Sequence, residues 1–346
     1  MTPPSTMRAM QLIGFGDLDQ LVLNHVPIPE PAANEIRVHV GACGLNNTDI
    51  NLRKGWYGVD AESGWKQDAT TPFPITQGAD IVGRVDALGA DVKTHQIGQR
   101  VIINPTVYNP NYETNPTQID YLGSERPGGF AEFVCVPAVN AHAIDSELSD
   151  AELATFPTAY LTAEHMLERA SVTSGETILV TGASGGVGSA LLQLITARGA
   201  RAIAVVGRGK EDRATNLGAV HVVSRHTENL TADITGFTID VAADVVGGPQ
   251  FPQLMEIVRP GGRVVTCGAI ASPQVEIDLR TLYLNHITLI GSTLGTQANF
   301  ARLVRHIEGG TIQPLLAATY PLAALREAQA AFDKKSHFGK IVITTV

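Results

Sequence analysis

The rhythm of apolar positions along the chain changes near residue 150. Over the first 140 or so residues, short runs rich in β-branched side chains (EIRVHVGA, DIVGRVDAL, QRVIINP, FAEFVCVP) are punctuated by Gly and Pro. Runs of that length between turn formers predict short strands rolled into a barrel-like β domain. From about Asp150 a helical pattern, DAELATFPTAYLTAEHMLERA, leads into strands alternating with helices. TILVTG precedes VGSALLQLITARGA, AIAVV precedes KEDRATNLGA, and VHVVS, DVAADVV, RVVTCGA and ITLIGST continue the series. Mostly apolar strands alternating with helices predict a parallel sheet with helices on both faces. The tail GKIVITTV reads as a strand again and is expected to rejoin the first domain. There is no internal repeat and no low-complexity tract.

One bend in this pattern carries chemistry. ILVTGASGGVGSALLQLI sets four glycines within seven residues between an apolar strand and an apolar helix. A helix N-terminus offers unpaired N–H groups and partial positive charge, which attract phosphate if no side chains stand in the way. With the strand 202–206 completing a βαβ unit, the bend predicts a Rossmann dinucleotide site at Ala183, Ser184, Gly185, Gly186, Val187 and Gly188. The fingerprint is AxGGVG where GxGxxG is usual; taken alone it would describe only a tight turn. An NAD site usually ends its second strand in Asp or Glu, to hold the ribose 2′-hydroxyl. Here the strand runs into Gly207, Arg208 and Lys210, with Arg225 after the third strand. Cations in those places suit a 2′-phosphate and favour NADP over NAD, the alternative being solvated surface charge.

Bulk composition narrows the partners. The chain has 346 residues, which allows roughly two domains, and its 34 acidic against 25 basic side chains give a net charge of −9. That balance gives no general attraction to nucleic acid or anionic membrane, so any anion site is local. Cys43, Cys135 and Cys267 form no paired spacing, which fits a reducing compartment and offers no zinc cage. With no signal pattern at the N-terminus and no apolar run of spanning length, the sequence points to the cytoplasm.

The stretch ACGLNNTDINLRKGWYG (Ala42–Gly58), then GADIVGRVDALGADV, PGGFAEFVCVPA, TILVTGASGGVG and the terminal FGKIVI, is similar in order and content to the medium-chain dehydrogenase/reductase superfamily. The resemblance is nearest to the zinc-independent branch, the quinone oxidoreductase or zeta-crystallin type. It implies a GroES-like β-barrel catalytic domain at 1–148 and 297–346, and a doubly wound Rossmann domain at 149–296. It also places the metal ligands of the superfamily's zinc alcohol dehydrogenases at Asn46, Ala79 and Thr158. An amide, a methyl and a hydroxyl do not make a tetrahedral zinc site, and Thr106 to Pro127 contains no Cys for a structural zinc lobe. No metal is therefore expected. Without a Lewis acid, alcohol oxidation is disfavoured, and an already electrophilic quinone, enone or enal fits better.

The same resemblance sets Asn46 beside nicotinamide and substrate, with Asp49 and Tyr57 as further catalytic candidates in the pattern Asp49, Arg53, Gly55, Tyr57. Arg53 is read as the structural partner of Asp49 one helical turn away. Thr162 resembles the family's nicotinamide-facing threonine. Cys267 and Gly268 would pass the carboxamide, unless that turn is only strand-to-loop packing, and Phe338 and Lys340 would close the site. The segment between Tyr57 and Gln77 is longer than a simple quinone reductase needs, and Trp56 and Trp65 lie in or next to it. They either stack on a flat acceptor under a lid or anchor the loop. A short-chain reductase is excluded, because none of the seven tyrosines has Lys four residues on. A zinc alcohol dehydrogenase would need all three ligand placements to be wrong. An NADPH-binding protein with little turnover stays open. The apolar segment Ile287–Leu294 is expected to be the last strand of the parallel sheet and to pair with a second copy in a homodimer.

Overall fold

The computed structural model describes residues 5–56, 73–109 and 119–345. The chain divides into two compact units, one of Met1–Thr158, Phe300–Gly309 and Gln313–Val346, the other of Ala159–Asn299 and Gly310–Ile312.

The first unit is the expected β domain. Its principal sheet runs Ala141–Ala143, Arg100–Ile103, Asp80–Leu88, Glu35–Gly44, Lys340–Thr344 and Leu316–Pro321, with Phe133–Pro137 also pairing with Glu35–Gly44. The alternation seen in EIRVHVGA is a true period of two: Ile36, Val38, Val40 and Ala42 are fully buried, while Arg37 and His39 face outward. The C-terminal strand joins this sheet, Val342 opposite Gly44 and Thr344 opposite Ala42. A smaller sheet of Leu21–Pro27, Thr6–Leu12 and Ile75–Thr76 lies on the bond from Met10 N–H to the Phe130 carbonyl and its neighbours. Met10, Leu21, Ile36, Val38, Ile81, Phe130 and Ile343 are among the side chains that fill the core of this unit.

The second unit is the expected parallel sheet. Its six strands lie side by side in the order Ala219–Ser224, Arg201–Val206, Thr177–Val180, Ile239–Asp244, Val258–Thr266, Thr288–Gly291, all parallel. That is the doubly wound order 3-2-1-4-5-6; right-handed crossovers put helices on both faces and open a crevice where the order reverses. The reversal falls between Thr177–Val180 and Ile239–Asp244, at the end of the strand that feeds the glycine turn. No helix among the described residues is long and apolar enough to cross a membrane.

Candidate active site

In the second unit, two glycines of the turn are dictated by packing. Gly182 has φ +57°, and a Cβ there would come within 2.8 and 2.9 Å of the Val245 and Val246 methyls. At Gly188 a Cβ would run into the Gly182 carbonyl, so only glycine lets the helix Gly186–Ala197 lie against the strand end. Gly185 is the N-cap and has no side chain to cap the first N–H groups. Those donors sit uncapped at the positive end of a twelve-residue helix, the arrangement that suits a pyrophosphate. Ala183 is fully buried and donates its N–H to the Val205 carbonyl, while Ser184 and Val187 are half-buried beside the turn.

The strand ends around this turn are held by a residue the sequence reading did not single out. Asp244, buried at the end of Ile239–Asp244, accepts from Thr181 Oγ at 2.6 Å, from the N–H groups of Val246 (3.1 Å) and Gly247 (2.9 Å), and from Thr266 Oγ at 3.2 Å. Three of the strands at the switch point are thereby tied to one carboxylate. The available signal was the second Asp of DVAADVV, set at the end of the apolar run VAA. Cys267 follows, donating its N–H to the Asp244 carbonyl; burial and the nearby Asp244 charge push its thiol up to about 12, so it is neutral. A Cβ at Gly268 would lie 2.8 Å from the Val245 carbonyl. Thr162 is buried on the helix Pro157–Arg169, whose Tyr160 hydroxyl accepts from Gln193 at 2.7 Å.

Three of the predicted cations converge at the end of Arg201–Val206. The Arg225 guanidinium lies over Gly207, its Nε 3.3 Å from where a Cβ would stand, and the Arg225 N–H donates to Val206. Lys210 is held below the usual lysine value by burial first, then by the charges of Arg225 and Arg213. Arg208 is exposed beside them, and neither Arg208 nor Arg225 makes an ion pair among the described residues. Clustered cations of this kind suit an anion.

The first unit gathers residues that are far apart in sequence. Asn46 caps the helix Asn47–Arg53 in extended conformation, and Asp49 accepts its backbone N–H at 2.8 Å and that of Gly78 at 3.2 Å. Burial raises the Asp49 carboxyl to about 7, helped by the Asp80 charge and opposed by the two N–H groups and Lys340. The Lys340 ammonium, 4% exposed, donates to Asn46 Oδ1 at 2.6 Å and to Asp80 Oδ2 at 2.7 Å. Asp80 is fully buried, and its other oxygen accepts the Thr158 N–H at 2.9 Å; the Thr158 hydroxyl meets Tyr121 at 2.9 Å. Gly339, at φ +92° and where a Cβ would run into the Leu315 carbonyl, immediately precedes the strand Lys340–Thr344, and Phe338 before it is buried. Asn46 is 8% exposed, and its Nδ2 has no hydrogen-bond partner among the described residues.

The expected ion pair between Asp49 and Arg53 is not made. Both Asp49 oxygens are taken by backbone N–H groups, and Arg53, buried, turns instead to Gln329 Oε1 (2.8 Å), the Gly16 carbonyl (2.8 Å) and Asp333 (3.7 Å). Its role is structural, through different partners. Tyr57, Trp65 and most of the long segment lie outside the described residues; Trp56 is described and 38% exposed. The three positions of the zinc ligands hold an amide whose oxygen faces an ammonium, a buried methyl at Ala79, and a hydroxyl bonded to a phenol. This donor set does not fit a zinc ion.

Two family models match, "Zinc-binding dehydrogenase" over residues 186–309 and "Alcohol dehydrogenase GroES-like domain" over 32–146. The chain is 48% identical to a provisionally assigned alcohol dehydrogenase from Sinorhizobium meliloti 1021, whose solved structure superposes with a TM-score of 0.92 over 99% of this chain and 97% of that one. It is 27% identical to the NAD-dependent alcohol dehydrogenase of Sulfurisphaera tokodaii, over 96% of this chain and 97% of that one. Against the human quinone oxidoreductase the identity is 26% over 94% of each chain.

Proposed function

The chain belongs to the medium-chain dehydrogenase/reductase superfamily, a family of pyridine-nucleotide oxidoreductases, and we propose that it is an NADPH-dependent reductase of quinones or α,β-unsaturated carbonyls that works without a metal. The observation that carries this reading is the Lys340 ammonium bonded to Asn46. A fixed positive charge touching one former ligand position opposes a dication there, and the other two positions offer no ligand of metal quality. With no Lewis acid to acidify an alcohol, the acceptor must already be electrophilic.

NADPH would be held by the uncapped N–H groups at Gly186 to Gly188, with Arg208, Lys210 and Arg225 around its 2′-phosphate. Thr162, Cys267, Gly268, Phe338 and Lys340 stay assigned, by resemblance, to the surroundings of the nicotinamide. When bound, the cofactor supplies a hydride. The protein orients the acceptor and stabilises charge on its carbonyl oxygen. A homodimer belongs to the same proposal: Thr288–Gly291 is the sheet edge, Leu289 on it is exposed, and so are Leu279, Tyr283 and Leu284 on the preceding helix. Sedimentation of the purified protein checks that assignment. The cytoplasm is the compartment proposed, on the cysteine pattern.

The test is steady-state oxidation of NADPH and of NADH across simple quinones, enones and enals, with and without chelator. Chelator-insensitive turnover preferring NADPH is expected. Chelator-sensitive oxidation of alcohols with NAD would transfer the chain to the alcohol dehydrogenases. Tight NADPH binding without turnover would favour a binding protein.

A further inference from the structure

We propose that Lys340 is a positioning residue that orients the Asn46 amide, so that the Asn46 Nδ2 group donates to the carbonyl oxygen of the acceptor. The proposal rests on the reductase reading above. An ammonium only donates, so of the two ends of the amide only Oδ1 can face Nζ at 2.6 Å. Chemistry, not convention, therefore fixes which end of Asn46 is oxygen. Lys340 has little freedom to swing away, because Asp80 holds it and the Thr158 N–H holds Asp80. The other handle of Asn46, its backbone N–H, is held by Asp49. What remains is an NH₂ group, in a side chain 92% buried, with no partner among the described residues. Buried donors are rarely left unpaired, and one pinned at both other ends marks the place of a ligand acceptor.

A bound reduced nicotinamide would supply the hydride, which would form a C–H bond at the β-carbon of the enone. The C=C pair shifts to become a new C=C bond, and the C=O π pair moves onto oxygen. The Nδ2 donors stabilise that oxygen as its charge grows. The α-carbon then takes a proton from water and the C=O bond re-forms, leaving the saturated carbonyl. Preorganised donors aimed at developing charge are worth about 10²- to 10³-fold in kcat each.

Three variants test the assignment. Asn46→Asp keeps an oxygen for Lys340 and removes the donors; kcat should fall about 100-fold with little change in KM. Lys340→Met frees the amide and should lower kcat about tenfold. Because it leaves Asp80 unpartnered, Asp80→Asn/Lys340→Met is made alongside and should show the same loss. The double variant Asn46→Asp/Lys340→Met should be no slower than Asn46→Asp alone, since one residue acts through the other. Multiplicative losses, or a folded Lys340→Met with unchanged kcat, would overturn the proposal. A second readout needs no turnover: the side-chain amide ¹⁵N–¹H signal missing from Asn46→Asp is followed while 2-cyclohexenone is added with oxidised NADP. It should move in the wild type and stay put in Lys340→Met. A wild type inactive with every acceptor, yet showing that shift, would sink the reductase reading and leave the positioning intact; no shift would sink the positioning as well.

Discussion

The glycine turn before Gly186–Ala197 and the cluster around Asn46 are both suited to hold negative charge on a ligand, by opposite means. The turn uses backbone: uncapped N–H groups at a helix end, with glycines at 182 and 188 because nothing larger fits. The cluster uses side chains, an ammonium, an amide and two carboxylates, nearly all withdrawn from water. A backbone site costs little to bury, because its dipoles are built by the helix itself. A side-chain site is expensive to break, because its buried charges rely on one another.

Breaking the cluster should therefore have the largest effect. Asp80→Ala leaves the Lys340 ammonium buried with only Asn46 to face, and loss of one partner from a buried pair costs about 3–5 kcal/mol. Urea denaturation should show a midpoint far below that of the wild type. A loss under about 1 kcal/mol would mean that the ammonium reaches water and that the cluster is not sealed.

The cradle side is sharpened by Arg225→Gln. If Arg225 meets the 2′-phosphate as proposed, the change should weaken NADPH binding roughly 10- to 100-fold and leave NADH binding unchanged, by titration of cofactor fluorescence. Equal loss for both cofactors would return Arg225 to a structural role over Gly207. Gly188→Ala should cost about 1–3 kcal/mol, since its methyl meets backbone that cannot yield cheaply, and should weaken both cofactors alike.

This contrast also explains what could be read in the sequence. The alternation of strand and helix, the doubly wound sheet and the glycine turn are local patterns, set by residues within one helical turn or one strand of each other. Lys340 meets Asp80 across 260 positions and Asn46 across 294, and no spacing rule reaches that far. Where a spacing rule was applied, to Asp49 and Arg53, it failed for a physical reason. Asp49 found better partners in the N–H groups that its own helix start and Gly78 present, and Arg53 found Gln329, 276 positions away. Asp244 went unnoticed because its role, tying together three strand ends, exists only once the sheet is formed.

The smallest effect per step comes from Asp49, whose protonation sets the two regions apart by pH. Its carboxyl titrates at about 7 in the folded chain, against 3.8 for the ordinary group, mainly because burial penalises the charge. Between those values the folded chain holds a proton that the unfolded chain has released. The Asp49 contribution to stability should then fall as pH rises from about 4 to about 7, with a slope of at most about 1.4 kcal/mol per pH unit, and level off above. Asp49→Asn cannot ionise, so its thermal midpoint should lose this component and fall less steeply than the wild type over the same window. A wild-type midpoint that rises between pH 5 and 7 in parallel with the variant's would mean that the Asn46 and Gly78 N–H groups hold Asp49 ionised. In that case the helix start before Asn47–Arg53 would carry a full negative charge beside Lys340, and the ammonium would be shared by two carboxylates rather than reserved for Asp80 and the Asn46 amide.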